Sequence, residues 1–162
     1  MSGYAIDSNV LSEVLLGGPR ARQAAHTLSQ ALPQGIVACA WVVAEIHVVA
    51  PADADSRGVL ADMGVAVDLE VDDNQLATAA ARWRRYLDRR RAQPNTSSCP
   101  QCGAQQPLSI CTRCGSPLRG PRRVLPDFLI GAHALHRGHA LITWDRGVYG
   151  TYFRELELLS PV

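Results

Sequence analysis

Gly3-Tyr4-Ala5-Ile6-Asp7-Ser8-Asn9-Val10-Leu11-Ser12-Glu13 changes character twice within a few residues. Tyr4, Ala5 and Ile6 are apolar and suit a short buried strand. Asp7, Ser8 and Asn9 are polar, and from Val10 the chain reads as a helix to residue 16, where Gly17-Gly18-Pro19 stops it. An Asp at the carboxyl end of a buried strand, just ahead of a helix, stands where open α/β sheets bind their ligands. The same residues also suit an ordinary turn in which a short polar side chain caps the helix and Glu13 favours its first turns. The two readings part company on whether other acids reach the same rim.

Outward from this stretch, strands and helices alternate. Residues 21–32 read as a helix with Ala24, Ala25, Leu28 and Leu32 on one side, broken by Pro33-Gln34-Gly35. Residues 36–38 suit a strand. Residues 40–49 suit a helix carrying Trp41, Ala44, Glu45 and Val48 in helical spacing, and 57–63 another. A strand at 65–71 leads to Asp72-Asp73 and a long helix to about 91. Its apolar positions Leu76, Ala80, Trp83 and Leu87 recur as one buried face requires, with Arg82, Arg85 and Arg89 on a different stripe. Residues 125–136 form a helix with Pro126 in its first turn, 140–143 a strand, 144–152 a loop or short helix, and 156–159 a last strand. Helices between nearly all strands make the fold α/β, with a parallel sheet built from βαβ crossovers.

That architecture gathers acids distant in sequence. Asp7 follows the first strand, Glu45 lies in the helix after the second, Asp127 opens the helix Pro126-Asp127-Phe128-Leu129-Ile130, and Asp145 follows the strand Ala140-Leu141-Ile142-Thr143. In a parallel sheet all four junctions face the carboxyl edge. Carboxylates at a few Å repel one another, and a divalent cation relieves this. Hard oxygen ligands suit Mg²⁺ or Mn²⁺, and such an ion can activate water toward a phosphodiester. Asn9 and Thr143 stand where they can hydrogen-bond the carboxylates.

The composition, 47% hydrophobic and 19% charged, is that of a globular protein. No apolar run is long enough to span a membrane, and no charged-then-apolar leader is present, so a soluble cytoplasmic protein is expected. Every Lys+Arg residue is Arg. Ten of the sixteen fall within 82–123, where the one acid is Asp88. This basic segment in an otherwise acidic chain points to a polyanion partner, or to a solvated Arg-rich face.

Four of the five Cys are clustered within the same segment. Cys99-Pro100-Gln101-Cys102-Gly103 and Cys111-Thr112-Arg113-Cys114-Gly115 are two C-x-x-C-G knuckles. Two intervening residues let both thiolates face one ion, and the Gly permits a left-handed turn close to sulfur. Four thiolates, Cys99, Cys102, Cys111 and Cys114, suit a closed structural Zn²⁺ site, with rubredoxin-like iron or redox disulfides as alternatives. So small a module takes most of its folding energy from the metal. Residues 93–123 are accordingly read as an inserted module in a domain formed by 1–92 and 124–162. Cys39 reads as a buried small residue. The five His read as surface or boundary residues, His47 and His136 being nearest to acids. Trp83 and Tyr86 read as packing residues, with base stacking as a second option for Tyr86.

Ile6-Asp7-Ser8-Asn9-Val10-Leu11, the mid-chain Glu45, Leu125-Pro126-Asp127-Phe128-Leu129-Ile130-Gly131-Ala132 and Leu141-Ile142-Thr143-Trp144-Asp145-Arg146-Gly147-Val148-Tyr149 together resemble the PIN-domain ribonucleases. The resemblance is nearest to the VapC-type toxins of toxin–antitoxin pairs. It implies a parallel sheet flanked by helices and Mg²⁺- or Mn²⁺-dependent cleavage of single-stranded RNA. It also implies a small antitoxin partner and often a homodimer. The metal-binding acids of that family map onto Asp7, Glu45, Asp127 and Asp145, although the residues around Glu45 match only in general character. The inserted module departs from the usual pattern.

Three functions fit: a toxin that cleaves single-stranded or structured RNA, a housekeeping RNA-processing nuclease with a zinc ribbon, or a non-catalytic RNA- or protein-binding module. Arg82, Arg85 and Arg89 on one flank of the module and Arg119, Arg122 and Arg123 on the other would form a basic wall for RNA phosphates. Dimerisation and antitoxin binding are the competing roles for the module.

Overall fold

The computed structural model describes residues 3–92, 96–99, 101–116 and 124–162. Arg119, Arg122 and Arg123 lie outside the described residues, as do both proposed boundaries of the inserted module.

Strands β1 (Tyr4–Ile6), β2 (Ile36–Cys39), β3 (Val65–Asp68), β6 (Ala140–Ile142) and β7 (Leu158–Leu159) form one sheet in the order β3-β2-β1-β6-β7, every neighbouring pair parallel. The intervening helices are α1 (Ser8–Leu15), α2 (Ala21–Ala31), α3 (Ala40–Val49), α4 (Ser56–Asp62), α5 (Asp73–Ala92), α6 (Val124–His136) and α7 (Val148–Tyr152). The chain moves from β1 outward to β3, then returns to lay β6 on the other side of β1. The strand order therefore reverses at the β1–β6 boundary, and the crevice beyond the carboxyl ends of these two strands is the switch point where open sheets bind ligands. A backbone hydrogen bond from Asp7 N–H to the Ile142 carbonyl, 3.0 Å, carries the pairing of β1 and β6 to that rim.

Helix α6 packs against α3, α5 and α7 and over β1 and β6. Its Phe128 is fully buried and meets Tyr86 of α5, Tyr152 of α7 and the following Phe153, the Phe128–Tyr152 ring centroids lying 5.4 Å apart. Gly131 is a packing requirement here, because a Cβ at this position would stand 2.8 Å from Phe153 Cζ. Tyr86 is thus a core residue, and base stacking by it is ruled out by burial.

Several faces differ from the periodicity. The buried side of α5 is Gln75, Ala79 and Tyr86, one residue back from the expected Leu76, Ala80, Trp83 and Leu87. Leu76 is exposed and Trp83 and Leu87 are half-buried at the edge. The reason is local: Tyr86 enters the aromatic cluster, and Arg82 is drawn in to the Tyr152 carbonyl at 2.6 Å. In α2 the buried residues are Ala24, Thr27, Leu28 and Ala31; Leu32 leaves the face because Pro33 turns 32–34 into a 3₁₀ segment. In α3, Val42, Val43 and Ile46 are buried while Val48 is exposed. Strand β3 stops at Asp68, whose carboxylate takes the Glu70 N–H at 2.9 Å and turns the chain before 71. His133 is buried, contrary to a surface assignment, and pairs through Nε2 with Asp68 at 3.2 Å. His47 and His136 bond Ser56 and Thr78 rather than acids.

Within the cysteine-rich segment, β4 (Thr96–Ser98) and β5 (Gln105–Pro107) form an antiparallel pair separate from the main sheet. Among the described residues no helix is long and apolar enough to cross a membrane.

Candidate active site

Asp7 occupies the position that precedes α1, with extended backbone, yet its carboxylate makes no cap to the helix. It is 3% exposed and turns instead across the sheet. Asn9 Nδ2 donates to Asp7 Oδ2 at 2.8 Å, and the Thr143 hydroxyl donates to the same oxygen at 2.7 Å. Thr143 Oγ1 in turn accepts from Asn9 Nδ2 at 3.2 Å and from the Asp145 N–H at 2.9 Å. One buried hydroxyl thereby fixes Asp7, Asn9 and the start of the Asp145 turn.

Glu45 sits half-buried in the second turn of α3 and accepts a short hydrogen bond from the Ser8 hydroxyl, which lies 3.5 Å from Asp7 Oδ1. Ser8 is therefore the link between Asp7 and Glu45. Asp145 Oδ1 accepts the N–H groups of Gly147, 2.7 Å, and Val148, 3.1 Å, anchoring the start of α7. Asp127 stands in the first turn of α6.

Asp7 and Asp127 feel the charges of the other acids. Burial and the charges of Asp7, Asp145 and Glu45 push the Asp127 carboxyl up to about 8. Burial raises Asp7 to about 6, against the lowering effect of its Thr143 and Asn9 hydrogen bonds, with Asp145 and Glu45 adding repulsion. Burial also raises Asp145. Among the described residues none of the four is in a salt bridge, although the chain forms such pairs elsewhere. Two buried polar atoms at this rim have no partner, Asn9 Oδ1 and the Tyr149 hydroxyl. Tyr149 is fully buried and feels the charges of Asp7, Asp127 and Asp145. Sequence reasoning gave it no role; its place four residues after Asp145, on the first turn of a helix starting at the rim, was the available signal.

An all-oxygen, uncompensated set of carboxylates with an orphaned amide oxygen beside it fits a hard divalent cation. The carboxylates ring the crevice without closing on a point: among the described residues no three His, Cys, Asp or Glu side chains form a group that could hold a metal ion. Mg²⁺ keeps several waters and takes one or two protein carboxylates, so it does not require a group of three.

The cysteine segment reaches the same rim. Cys99 N–H bonds the Ala104 carbonyl and Gly103 N–H bonds the Cys99 carbonyl, both at 2.8 Å; Cys111 with Ser116 and Gly115 with Cys111 repeat this pattern at 2.8 and 2.9 Å. Gly103 and Gly115 have φ of 76° and 71°, the left-handed values expected for them. The thiols come together as two pairs, Cys99 with Cys102 and Cys111 with Cys114. The first knuckle lies against α7, since a Cβ on Gly103 would meet Gly147 Cα at 3.7 Å and Thr151 Oγ1 at 3.9 Å. Of the arginines, Arg82 is tied to Glu155 and to the Tyr152 carbonyl, whereas Arg85 and Arg89 are exposed.

Solved structures share the fold of this chain. A chain of VapBC2 from Rickettsia felis, in a complex with a DNA fragment from their promoter, matches with a TM-score of 0.58 at 13% identity over 98% of each chain. The chain has a PIN-like fold. VapBC-1 from nontypeable Haemophilus influenzae matches with a TM-score of 0.54 at 17% identity over 97% of this chain and 96% of that one. FitAB bound to an IR36 DNA fragment matches at 0.55 and 16%, over 98% and 94%. No protein-family model matches the sequence, and no curated protein does. The PIN-like sheet thus persists at identities where sequence comparison alone is silent, and Asp7, Glu45, Asp127 and Asp145 stand around its switch point.

Proposed function

We propose that this protein is a divalent-metal-dependent endoribonuclease that cleaves single-stranded RNA and acts as the toxin of a toxin–antitoxin pair. The observation that carries this reading is the placement of Asp7, Glu45, Asp127 and Asp145 around the carboxyl edge of a PIN-like sheet, with no cationic side chain among the described residues paired to them. Mg²⁺ or Mn²⁺, held by these acids, would activate water and offset charge on the departing oxygen. Asp7 is held by Thr143 and Asn9 in one orientation, and Ser8 does the same for Glu45. Asp145 keeps one oxygen on the α7 turn and leaves the other for the crevice. The raised carboxyl of Asp127 makes it the group most dependent on a bound cation for its charge.

The same reading assigns Cys99, Cys102, Cys111 and Cys114 to one structural Zn²⁺, in a module spanning 93–123 between the two parts of the nuclease domain, 1–92 and 124–162. Its support is the repeated knuckle turn and the backbone N–H groups of Gln101 and Cys102 that face the Cys99 sulfur. An ion of this kind would draw the two thiol pairs together. Arg85 and Arg89, with Arg119, Arg122 and Arg123 of the same basic stretch of sequence, would supply the positive charge that RNA needs near an acidic crevice. The VapBC and FitAB likenesses support a small antitoxin as partner; by the family resemblance it would lay a segment with Arg or Lys across the carboxylates, and the nuclease would form a homodimer.

Incubation of the full chain with single-stranded RNA in Mg²⁺, with EDTA as control, tests the reading. Fragments in Mg²⁺ alone are expected. RNA left intact but bound would favour a non-catalytic binding module, and a nuclease that purifies from its native operon without a small companion would favour a housekeeping role.

A further inference from the structure

One helical turn from the acidic rim the surface opens into a cavity of about 430 Å³, within the range of ligand pockets. Thr78, Arg82 and Arg85 of α5 form one wall, and Thr151, Arg154 and Glu155, at and beyond the end of α7, form the other. Three guanidinium groups face one carboxylate. Arg82 and Glu155 satisfy each other, and the Arg82 guanidinium is further fixed by the Tyr152 carbonyl and by the Phe153 ring, 4.5 Å beneath it. Arg85 and Arg154 are exposed, and among the described residues neither is in a salt bridge. The cavity therefore holds two arginines outside any salt bridge among the described residues, Arg85 lying near enough to Glu155 for its charge to help lower that carboxyl.

Its position relates it to the carboxylates. Asp145 anchors the start of α7 through Gly147 and Val148, and Thr151 stands four residues after Gly147, roughly 6 Å along a helix axis. Thr151 also borders Gly103 of the first knuckle. A strand with one phosphodiester at the carboxylates would pass this cavity with a neighbouring one. Guanidinium groups suit phosphate because their planar donors pair with two oxygens at once.

We infer that the cavity is a phosphate-binding subsite for a nucleotide flanking the scissile bond of an RNA strand, with Arg85 and Arg154 meeting the phosphate and Arg82 a fixed wall. This rests on the ribonuclease reading for its substrate, while the anion site itself does not. Arg82, first grouped with the RNA-contacting arginines, is here a positioning residue.

The test compares the full chain with Arg85→Gln/Arg154→Gln, both positions being exposed. For single-stranded RNA of ten or more nucleotides the double variant should raise KM by about 10-fold or more while kcat stays within about 2-fold, as for loss of charge-assisted contacts outside the reacting bond. The slope of log affinity against log salt should flatten by roughly 0.7 per lost phosphate contact. For substrates too short to reach the cavity the rise in KM should be clearly smaller than for long RNA. An unchanged KM and salt slope on long RNA overturn the subsite and leave the ribonuclease standing. If the wild type cleaves no RNA, binding of inorganic phosphate decides: loss of it in the double variant keeps the anion site while the ribonuclease reading falls, and equal or absent binding overturns both.

Discussion

The Thr143 hydroxyl donates to Asp7 Oδ2 at 2.7 Å, joining the rims of β1 and β6 across 136 positions of sequence. Asp7 could have capped α1; it faces the switch point instead because this buried hydroxyl and Asn9 hold it there. Thr143→Val keeps shape and removes the donor. Supporting hydrogen bonds of this kind are worth about 10–100-fold in metal affinity or activity. The variant should keep its fold by circular dichroism and lose cleavage by that factor. Wild-type rates would mean that Asp7 is held by other means.

The metal-free protein should lose stability as pH rises. A carboxyl that keeps its proton longer in the folded state than in the unfolded chain favours folding at low pH, and the advantage vanishes as pH climbs through the folded value. Asp7 at about 6 and Asp127 at about 8, against an ordinary 3.8, place the loss between about pH 4 and 8. Asp7→Asn should raise stability of the metal-free protein at pH 8, on the order of 1 kcal/mol. Thermal melts in EDTA at pH 5 and 8 measure this, and Mn²⁺ should remove most of the pH dependence in the wild type alone.

Glu155 gives the opposite sign on a smaller scale. Its hydrogen bond to Arg82 lowers its carboxyl from 4.5 to about 2, so its contribution is present above pH 4.5 and is lost as pH falls toward 2. Half of its side chain is exposed, so screening limits the effect to within about 1 kcal/mol. Glu155→Gln should melt slightly below wild type at pH 7, and the two curves should converge near pH 2.

The architecture was legible because helix and strand signals alternate and β1 is sharply bounded at Asp7. The five strands of the main sheet and helices α1 to α6 fall near their expected positions, and α7 lies within the stretch read as a loop or short helix. The faces were less legible. Leu76 and Ala80 look like a core stripe by spacing, but an amphipathic pattern cannot say which neighbouring stripe an aromatic partner will claim, and Tyr86 with Phe128 decided it. The acids could be assigned to the rim, since parallel pairing puts every strand-to-helix junction on one edge. The partners of those acids could not. Ser8 reaches Glu45 through a side-chain direction that no linear spacing encodes, and Arg82 was claimed by a carbonyl seventy residues away.

For the cysteine module the full chain should carry one Zn²⁺, and Cys102→Ser should lose it, since an incomplete thiolate set binds poorly. The parallel sheet should remain folded, because its core residues come from 3–92 and 124–162. Metal content by elemental analysis and melting of the variant check this together. Zinc loss accompanied by global unfolding would place the module within the core.

The central claim is that the carboxylates around the β1–β6 switch point form a divalent-cation nuclease site. Single-turnover cleavage of a single-stranded RNA, followed as Mn²⁺ is titrated into wild type and into Asp7→Asn, tests it most directly. The expected result is a rate that rises from zero and saturates for the wild type, and a fall of at least about 100-fold for Asp7→Asn, the scale of losing a group that stabilises developing charge. Cleavage that is independent of Mn²⁺, or equal in the two proteins, would contradict the assignment.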